Sequence, residues 1–355
     1  MFKFKKNLKF IRRSSNIENR SQLILRLDRN EKISFLNKKQ KNNFIKYLGN
    51  IELNLYPNFE TTYKKLSKFL KLDRRKILIT EGVSGAIKNI LDSIDLKQNT
   101  EIIVPSPSFA LYNIYSKIYG LKTKRYTYDK KFNLKIEDIF NLISKNTSIV
   151  FFTFPNIPVE GNINLTFIKT LAKFLQKRKI LFVIDEVYYP FNKHSAINLS
   201  KKFNNMIIMR SFSKAFGLAG ARIGYLVADK KKIEILSNTK GGYETNALSA
   251  SAVNFVLDNI KLTKKYVKDV EKGFMFLKRE LQKLNINYYG GSQSNFIFVN
   301  FKNHKLAKNI YKKLLKNKIS VRFGYPKPFD KGILLTGCPL NEMKKFLRIF
   351  KKIYK

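Results

Sequence analysis

Short apolar runs alternate with segments of helical spacing along the middle of this chain. The predicted strands are residues 76–80, 102–105, 148–154, 180–184 and 206–209, followed by an apolar run at residues 223–228. The predicted helices are residues 61–72, 84–93, 110–119 and 165–176. This alternation is typical of a mainly parallel sheet with helices on both faces.

The pattern changes after about residue 249. Two long helical segments come first, and short strands are then predicted at residues 296–301, 319–323 and 333–336, with a helix among them. A final helix is predicted from about residue 341. We therefore predict three parts. They are an N-terminal arm (residues 1–35), a large domain (residues 36–248) and a small α+β domain (residues 249–355).

Composition narrows the kinds of site that this chain can hold. It has 355 residues, one cysteine (Cys338) and two histidines, which disfavours a disulfide framework, a cysteine-rich zinc site and a serine–histidine triad. No metal is expected. No apolar run approaches the roughly 20 residues that span a bilayer, and the basic N-terminus lacks the apolar stretch of a secretory signal. We predict a cytoplasmic protein that does not enter membranes.

The formal net charge is +45, from 70 Lys and Arg residues against 25 Asp and Glu residues. Clustered cations would indicate nucleic-acid binding. The lysines are instead spread over nearly every predicted helix, and Lys, Asn, Ile, Phe and Tyr are all residues with AT-rich codons. We therefore favour compositional drift and do not expect a nucleic-acid partner, although the charge should attract anionic substrates.

One fifteen-residue stretch, residues 211–225, holds a lysine among small residues between two apolar runs. Lys214 follows the hydroxyls of Ser211 and Ser213, and Arg222 comes eight positions later. A lysine amine can bond covalently to the aldehyde of pyridoxal phosphate, and hydroxyls with a guanidinium can hold its phosphate. A basic loop packed through its small residues is the alternative. The combination of residues favours the cofactor site.

This stretch resembles the cofactor-lysine motif of the fold-type I aminotransferases, and most of all that of the histidinol-phosphate aminotransferase branch. The resemblance runs in order from about residue 27 to the C-terminal helix and is strongest around Asp185 and Lys214. It implies an α/β fold in which a large domain, with a mainly parallel sheet flanked by helices, is joined to a smaller α+β domain. It also implies pyridoxal phosphate as the cofactor.

Asp185 ends an apolar run, at the C-terminal end of a predicted central strand, where α/β folds bind ligands. Its carboxylate can pair with the pyridine nitrogen and keep it protonated, so that the ring withdraws electrons. The resemblance assigns Tyr188 to the ring hydroxyl and Phe109 to stacking on the ring. Taken singly, a capping acid and two core aromatics are the alternatives. Their positions relative to Lys214 favour the functional interpretation.

The loop at residues 80–85 lies between a predicted strand and a predicted helix, and its backbone N–H groups suit a phosphate. Tyr56 matches a tyrosine that reaches the phosphate of the neighbouring subunit, which implies a homodimer with shared active sites. The residues that the resemblance assigns to the phosphate within one subunit are Val83, Ser84, Ser211, Ser213 and Arg222. Residues that match family positions without an assigned role are Asn30, Glu31, Tyr243, Asn246 and Asn295.

Two positions depart from the family's pattern. Ile157 stands where an asparagine bonds the ring hydroxyl, and Asn156 can replace that asparagine if the loop shifts by one residue. Leu334 stands where an arginine grips the substrate α-carboxylate with two hydrogen bonds. Arg322 matches another basic position and can bind a phosphate, a phosphonate or a carboxylate. We therefore predict Arg322 and Asn156 as substrate contacts.

These residues predict an aminotransferase that moves an amino group between an amine or amino acid, including one that bears a phosphate or phosphonate, and an oxo acid. The predicted catalytic residues are Lys214, which attaches the cofactor and then moves a proton, Asp185 and Tyr188. A decarboxylase of a phosphorylated amino acid is the nearest alternative, because it keeps the cofactor. A basic nucleic-acid-binding protein on an inactive scaffold is the third, although the cofactor residues are present.

Overall fold

The strands of this chain lie in three sheets. The computed structural model describes residues 8, 11, 22–33, 36–97 and 99–354. In chain order the strands are β1 (Leu25–Leu27), β2 (Ile77–Thr80), β3 (Glu101–Pro105), β4 (Lys122–Tyr126), β5 (Thr147–Thr153), β6 (Leu181–Asp185), β7 (Met206–Ser211), β8 (Gly224–Val227), β9 (Asn287–Gly290), β10 (Phe296–Asn300), β11 (Ile319–Val321) and β12 (Gly332–Thr336).

The α-helices are α1 (Lys38–Gly49), α2 (Glu60–Leu70), α3 (Gly82–Asp92), α4 (Leu111–Ile118), α5 (Ile136–Phe140), α6 (Leu165–Lys177), α7 (Ile197–Ser200), α8 (Lys230–Ser237), α9 (Ala247–Asp258), α10 (Ile260–Lys283), α11 (His304–Lys316) and α12 (Leu340–Tyr354). None of the described helices is both long enough and apolar enough to span a bilayer.

Seven strands form the central sheet in the order β2-β8-β7-β6-β5-β3-β4. All of them run in one direction except β8, which is antiparallel to both of its neighbours. Apolar clusters cover both faces. Along β5, Val150 and Phe152 belong to one cluster, whereas Ile149 and Phe151 belong to the other. Burial on both faces explains why the central strands are continuous apolar runs.

A third apolar cluster lies in the C-terminal part of the chain. There β12, β10 and β9 form an antiparallel sheet, and β1 pairs in parallel with β11. The N-terminal segment that contains β1 is therefore bound to the C-terminal part of the fold. Of residues 1–21 in the predicted arm, only Leu8 and Ile11 lie among the described residues.

The predicted α/β fold class is confirmed. The predicted strands and helices are all present, with ends that differ by about one to three residues, the usual uncertainty at element ends. Several elements were not predicted, among them β4. This strand lies at the edge of the central sheet, and Lys122, Lys124 and Arg125 are three of its five residues. Charged edge strands lack the apolar run that marks a buried one.

Candidate active site

The loops that carry the predicted site residues meet at one edge of the central sheet. The strands β2, β3, β5, β6 and β7 are mutually parallel, so their C-terminal ends lie at the same edge. Because β8 runs the other way, its first residue lies at that edge too, where Gly224 pairs with both Thr80 and Ser211. Residues that follow these strand ends, or precede β8, are Gly82, Phe109, Asn156, Asp185, Lys214 and Arg222.

Asp185 is the last residue of β6 and is buried. Its Oδ1 accepts a hydrogen bond of 2.9 Å from the Val187 N–H, and its Oδ2 accepts one of 2.6 Å from the Tyr112 hydroxyl. Burial raises the pKa of Asp185 to about 6, although both of these hydrogen bonds lower it. The carboxylate therefore sits in a site that favours a cationic partner.

Lys214 lies in the tight loop after β7. Phe212 and Phe216, two residues before and two residues after the lysine in the chain, pack edge-to-face with 4.9 Å between ring centres. The ammonium of Lys214 donates a hydrogen bond of 2.8 Å to the backbone carbonyl of Arg29. Burial is the main cause that lowers the pKa of Lys214 to about 8, and the nearby charge of Arg222 contributes in the same direction. A neutral, nucleophilic amine is thus accessible near neutral pH.

Arg222 stands at the loop between β2 and α3. Its Nη2 donates a hydrogen bond of 3.2 Å to the Ser84 hydroxyl, and a Cβ at Gly82 would lie 3.3 Å from the same nitrogen. Gly82 has a φ of +65°, in the region that favours glycine. Glycine at residue 82 therefore suits both the positive φ and the close approach of the guanidinium.

Ser211 and Ser213 lie beside that loop. The hydroxyl of Ser211 donates a hydrogen bond of 2.9 Å to the Ser213 hydroxyl and accepts one of 3.0 Å from the Ser213 N–H. A Cβ at Gly224, the strand partner of Ser211, would lie 3.0 Å from the Gly82 Cα. The two serines, the α3 N-terminus and Arg222 thus form a single polar pocket.

Tyr188 connects the central sheet to the C-terminal part of the fold. Its hydroxyl accepts a hydrogen bond of 2.9 Å from Asn30 Nδ2. The backbone N–H of Asn30 donates to Thr336 Oγ1 at 2.9 Å, and its carbonyl accepts from Asn295 Nδ2 at 2.9 Å. Asn30 and Asn295, which had no assigned role, therefore help to position the Tyr188 hydroxyl.

A buried ion pair borders the site, and it was not predicted. Arg210, which precedes Ser211, places Nε 2.9 Å and Nη2 2.8 Å from Oε2 of Glu186, which follows Asp185. Both side chains are buried, and the guanidinium lies 3.6 Å from the centre of the Tyr189 ring. The pair joins the ends of β6 and β7 and so fixes Asp185 relative to the lysine loop.

The amide of Asn156 is already bonded within the protein. Its Oδ1 accepts a hydrogen bond of 2.6 Å from Thr153 Oγ1, and its Nδ2 donates one of 3.0 Å to the Pro107 carbonyl. To contact a substrate, Asn156 would have to exchange one of these bonds. Ile157 is buried in the apolar cluster that also contains Tyr188.

The substrate end of the site combines one apolar side chain with one cation. Leu334, in β12, is 0% exposed and belongs to the same cluster as Tyr188, whereas its neighbours Ile333 and Leu335 belong to the C-terminal cluster. The backbones of Leu334 and Arg322 are joined by hydrogen bonds of 3.0 and 2.8 Å. The charge of Arg322 contributes to lowering the pKa of Lys214, which indicates that the guanidinium lies within electrostatic range of the amine.

Two predicted site residues present exposed rings. Phe109 is 42% exposed and meets Tyr112 edge-on, with 6.1 Å between ring centres. Tyr56 is 81% exposed and stacks on Tyr243 at 4.7 Å. Asn246, in the segment of Tyr243, caps α9 by accepting a hydrogen bond from the Ser249 N–H.

Sequence reasoning missed three site residues, Tyr112, Glu186 and Arg210. Glu186 and Arg210 did carry a signal, because each is a charged residue directly beside a predicted site residue in a buried strand end. Buried charges need partners of opposite sign. Tyr112 lies in the first turn of α4, three residues after Phe109, and its backbone N–H donates a hydrogen bond of 3.3 Å to the Phe109 carbonyl.

The described residues fit four parts of pyridoxal phosphate: the phosphate, the ring nitrogen, the aldehyde and the face of the ring. The pocket of hydroxyls and a guanidinium lies at the N-terminus of α3, which has no capping side chain, and suits a phosphate dianion. The buried carboxylate of Asp185 suits a protonated ring nitrogen. The amine of Lys214 suits an aldehyde, and the exposed ring of Phe109 offers a face for an aromatic ring.

Comparison with known proteins agrees with this geometry. The family described as "Aminotransferase class I and II" matches residues 30–347. A histidinol-phosphate aminotransferase of Methanocaldococcus jannaschii is 31% identical over 299 residues, which cover 82% of this chain and 78% of that protein. A dihydroxyacetone phosphate transaminase of Campylobacter jejuni is 30% identical over 268 residues, with coverages of 74% and 72%.

The fold agrees as well. The crystal structure of a histidinol-phosphate aminotransferase from Sinorhizobium meliloti, in complex with pyridoxal-5'-phosphate, superposes with a TM-score of 0.88 at 18% identity and covers 100% of this chain and 98% of that one. The predicted similarity to the histidinol-phosphate aminotransferase branch is thereby confirmed. The family match spans most of the chain. This protein therefore belongs to the class I and II aminotransferases and uses pyridoxal phosphate as its cofactor.

Proposed function

We propose that this aminotransferase exchanges an amino group between an amine that bears a phosphate or phosphonate and an oxo compound. The observation that carries the proposal is Leu334, whose buried side chain stands where the α-carboxylate arginine is expected. Arg322 remains as a cation beside it. The names of the similar proteins, histidinol-phosphate aminotransferase and dihydroxyacetone phosphate transaminase, support a phosphorylated partner in the reaction.

Lys214 performs two tasks in the proposed reaction. Its amine first attaches the cofactor, for which a pKa of about 8 leaves roughly a tenth of it neutral at pH 7. Bound pyridoxal phosphate supplies an aldehyde that accepts the amino group and a ring that withdraws electrons. With the cofactor bound and its amine displaced by the substrate amine, Lys214 would act as the general base that takes the proton from the substrate carbon and as the general acid that returns it.

The other contacts are assigned to separate chemical groups of the cofactor. Asp185 holds the ring nitrogen protonated, because a cation there lowers the free energy of the buried carboxylate. Tyr188 binds the ring hydroxyl, and Phe109 stacks on the ring. The phosphate is assigned to the backbone N–H groups of Val83 and Ser84 and to the side chains of Ser84, Ser211, Ser213 and Arg222.

The substrate contacts are Arg322 and Asn156. Arg322 can bind an anionic group bidentately. For Asn156 the proposal requires that a substrate oxygen replaces one of its present partners, and Thr153 is the nearer of the two at 2.6 Å. An ordinary α-carboxylate would meet the apolar side chains of Leu334 and Ile157, where burying an unpaired charge is costly.

The assembly in this proposal is a homodimer with shared active sites. The exposed ring of Tyr56 supports it, because a stacked pair of tyrosines at the surface is typical of an interface rather than of a solvated loop. In the dimer Tyr56 reaches the phosphate held by the partner subunit. A cytoplasmic location and domain boundaries after residues 35 and 248 remain predictions.

Half-reactions of the purified holoenzyme test the substrate class. Histidinol phosphate, glutamate and alanine are titrated separately, and formation of the amino form of the cofactor is followed by its absorbance. We expect histidinol phosphate to react at concentrations about ten- to a hundred-fold lower than glutamate, the range expected for one charged bidentate contact. Equal reactivity of glutamate would contradict the proposal.

A matched pair of variants tests whether Arg322 makes the contact that gives this preference. Arg322→Ala should remove the preference for histidinol phosphate, whereas Lys327→Ala, which removes an exposed cation from the same loop, should keep it. Carbon dioxide is measured in parallel with a phosphorylated amino acid. Release of carbon dioxide without transfer of the amino group to an oxo acid would identify a decarboxylase instead.

A further inference from the structure

We propose that Tyr325 is a specificity-determining residue, whose hydroxyl donates a hydrogen bond to the phosphate of the substrate beside Arg322. This inference rests on the proposed function and names a residue that the family resemblance did not assign. It follows from one buried hydroxyl, its position relative to Arg322 and the apolar side chains around both.

The hydroxyl of Tyr325 is buried without a partner. The side chain is 7% exposed, and its oxygen makes no hydrogen bond to any described residue. Buried polar groups are almost always hydrogen-bonded, because leaving one unsatisfied is unfavourable. A phenol held in this state is therefore a donor prepared for a group that the protein itself does not provide.

The position of Tyr325 points to the substrate end of the site. Its ring packs edge-on against Phe298 at 6.2 Å, and the guanidinium carbon of Arg322 lies 5.1 Å from its centre. Tyr325 shares one apolar cluster with Leu334 and Tyr188. It is close enough to Tyr188 to contribute to the raised pKa of that hydroxyl, after burial as the main cause.

The chemistry around Tyr325 selects the kind of group that it meets. Arg322 forms no ion pair with a carboxylate among the described residues, so a ligand anion can take its charge. Leu334 and Ile157 offer that anion no donor. A phosphate has enough terminal oxygens to accept from the phenol and from the guanidinium at the same time, and bonds to a charged acceptor are the strong ones.

The loop that carries Tyr325 gives the phenol a defined direction. It connects β11 to β12, and Gly324, directly before Tyr325, has a φ of +90°, in the region that favours glycine. Pro326 and Pro328 follow and restrict the backbone. A rotamer fixed by packing reduces the entropy that is lost when a ligand binds.

The test compares Tyr325→Phe with the wild-type holoenzyme by calorimetric titration of histidinol phosphate and of histidinol. Because phenylalanine keeps the ring against Phe298 and Arg322, only the hydroxyl is lost. We expect the affinity for histidinol phosphate to fall about ten- to a hundred-fold and that for histidinol to stay within about two-fold. Tyr311→Phe, which alters a tyrosine stacked on Phe323 outside this cluster, should change neither affinity.

Three results would overturn the inference. Unchanged binding of histidinol phosphate by Tyr325→Phe would mean that the phenol bonds water. An equal loss for both ligands would mean that it acts on the fold or on a part that the two ligands share. A wild-type enzyme that binds both ligands equally would also rule the contact out.

Steady-state kinetics separate this inference from the proposed function. If the wild-type enzyme transfers the amino group, Tyr325→Phe should raise KM for histidinol phosphate and leave kcat within about two-fold, since a contact equal in ground and transition states affects binding alone. If the wild-type enzyme binds histidinol phosphate through Tyr325 but transfers no amino group from it, the inference holds and the proposed function fails.

Discussion

The hydroxyl of Tyr112 donates a hydrogen bond of 2.6 Å to Oδ2 of Asp185, and both side chains are buried. This bond lowers the pKa of the carboxyl and partly offsets burial, which is the main cause that raises the pKa to about 6. Tyr112 also meets the exposed ring of Phe109 edge-on. One side chain therefore orients the carboxylate and supports the ring proposed to stack on the cofactor.

Tyr112→Phe should shift the acid limb of activity to higher pH. Without the hydrogen bond the pKa of Asp185 rises, by about one unit if the bond contributes the usual 1–1.5 kcal/mol. Profiles of kcat/KM against pH would measure the shift. The control is Tyr119→Phe, which removes a hydroxyl bonded to Asp92 at the surface. Identical profiles for Tyr112→Phe and wild type would show that the bond does not tune the carboxylate.

Attachment of pyridoxal phosphate to the apoenzyme should accelerate as the pH rises through about 8. Only the neutral amine is nucleophilic, and burial lowers the pKa of Lys214 from its ordinary 10.5 to about 8. The rate should rise about ten-fold per unit below pH 8 and then level. Borohydride fixation followed by peptide mapping should find the cofactor on Lys214, and Lys214→Ala should lose both adduct and turnover. Label on another lysine would contradict the assignment.

Asp185→Asn should keep the fold and lose about a hundred- to a thousand-fold in turnover, the usual loss when one preorganised electrostatic contact is removed. An amide cannot keep the ring nitrogen protonated by its charge. Circular dichroism would confirm the fold, and kcat would measure the loss. Near-normal turnover would make Asp185 a structural acid.

The same substitution should change how the stability of the apoenzyme depends on pH. The folded pKa of Asp185, about 6, lies above the ordinary 3.8, so the folded state binds this proton more tightly than the unfolded state. The stabilisation of the folded state by this proton is complete below pH 3.8 and is lost as the pH rises through 6. The free energy of unfolding of Asp185→Asn, measured in urea, should therefore increase relative to that of wild type as the pH rises over that interval, by up to about 3 kcal/mol. If the free energies of unfolding of variant and wild type changed with pH in the same way, the raised pKa of Asp185 would be contradicted.

Arg210→Leu should destabilise the protein by about 3–5 kcal/mol. The substitution leaves the buried carboxylate of Glu186 without its bidentate partner, which is the costly way to break an ion pair. Lys193→Ala, which breaks a surface pair with Glu271, should cost about 1 kcal/mol or less. Unfolding in urea would compare the two. Equal effects would mean that the buried pair is no more important than the exposed one.

Local pattern was sufficient for the buried strands of the central sheet and for two candidate site residues, Asp185 and Lys214, but not for the charged edge strand β4. Strands buried on both faces are continuous apolar runs, so β2, β3, β5, β6 and β7 can be recognised one at a time. Asp185 was found because it ends such a run, and Lys214 because it lies among small residues and hydroxyls in the loop after another. The family motif then supplied their chemical context.

Tertiary structure alone decided which side chains meet. Tyr112 and Asp185 are 73 positions apart, and Asn30 and Tyr188 are 158 apart. Such contacts depend on how whole elements pack, which no local period encodes. The unpaired hydroxyl of Tyr325 could not be predicted from sequence either. Its burial and its lack of a partner among the described residues result from how the loop between β11 and β12 packs. The residues that tune this site were therefore visible only after the chain was folded.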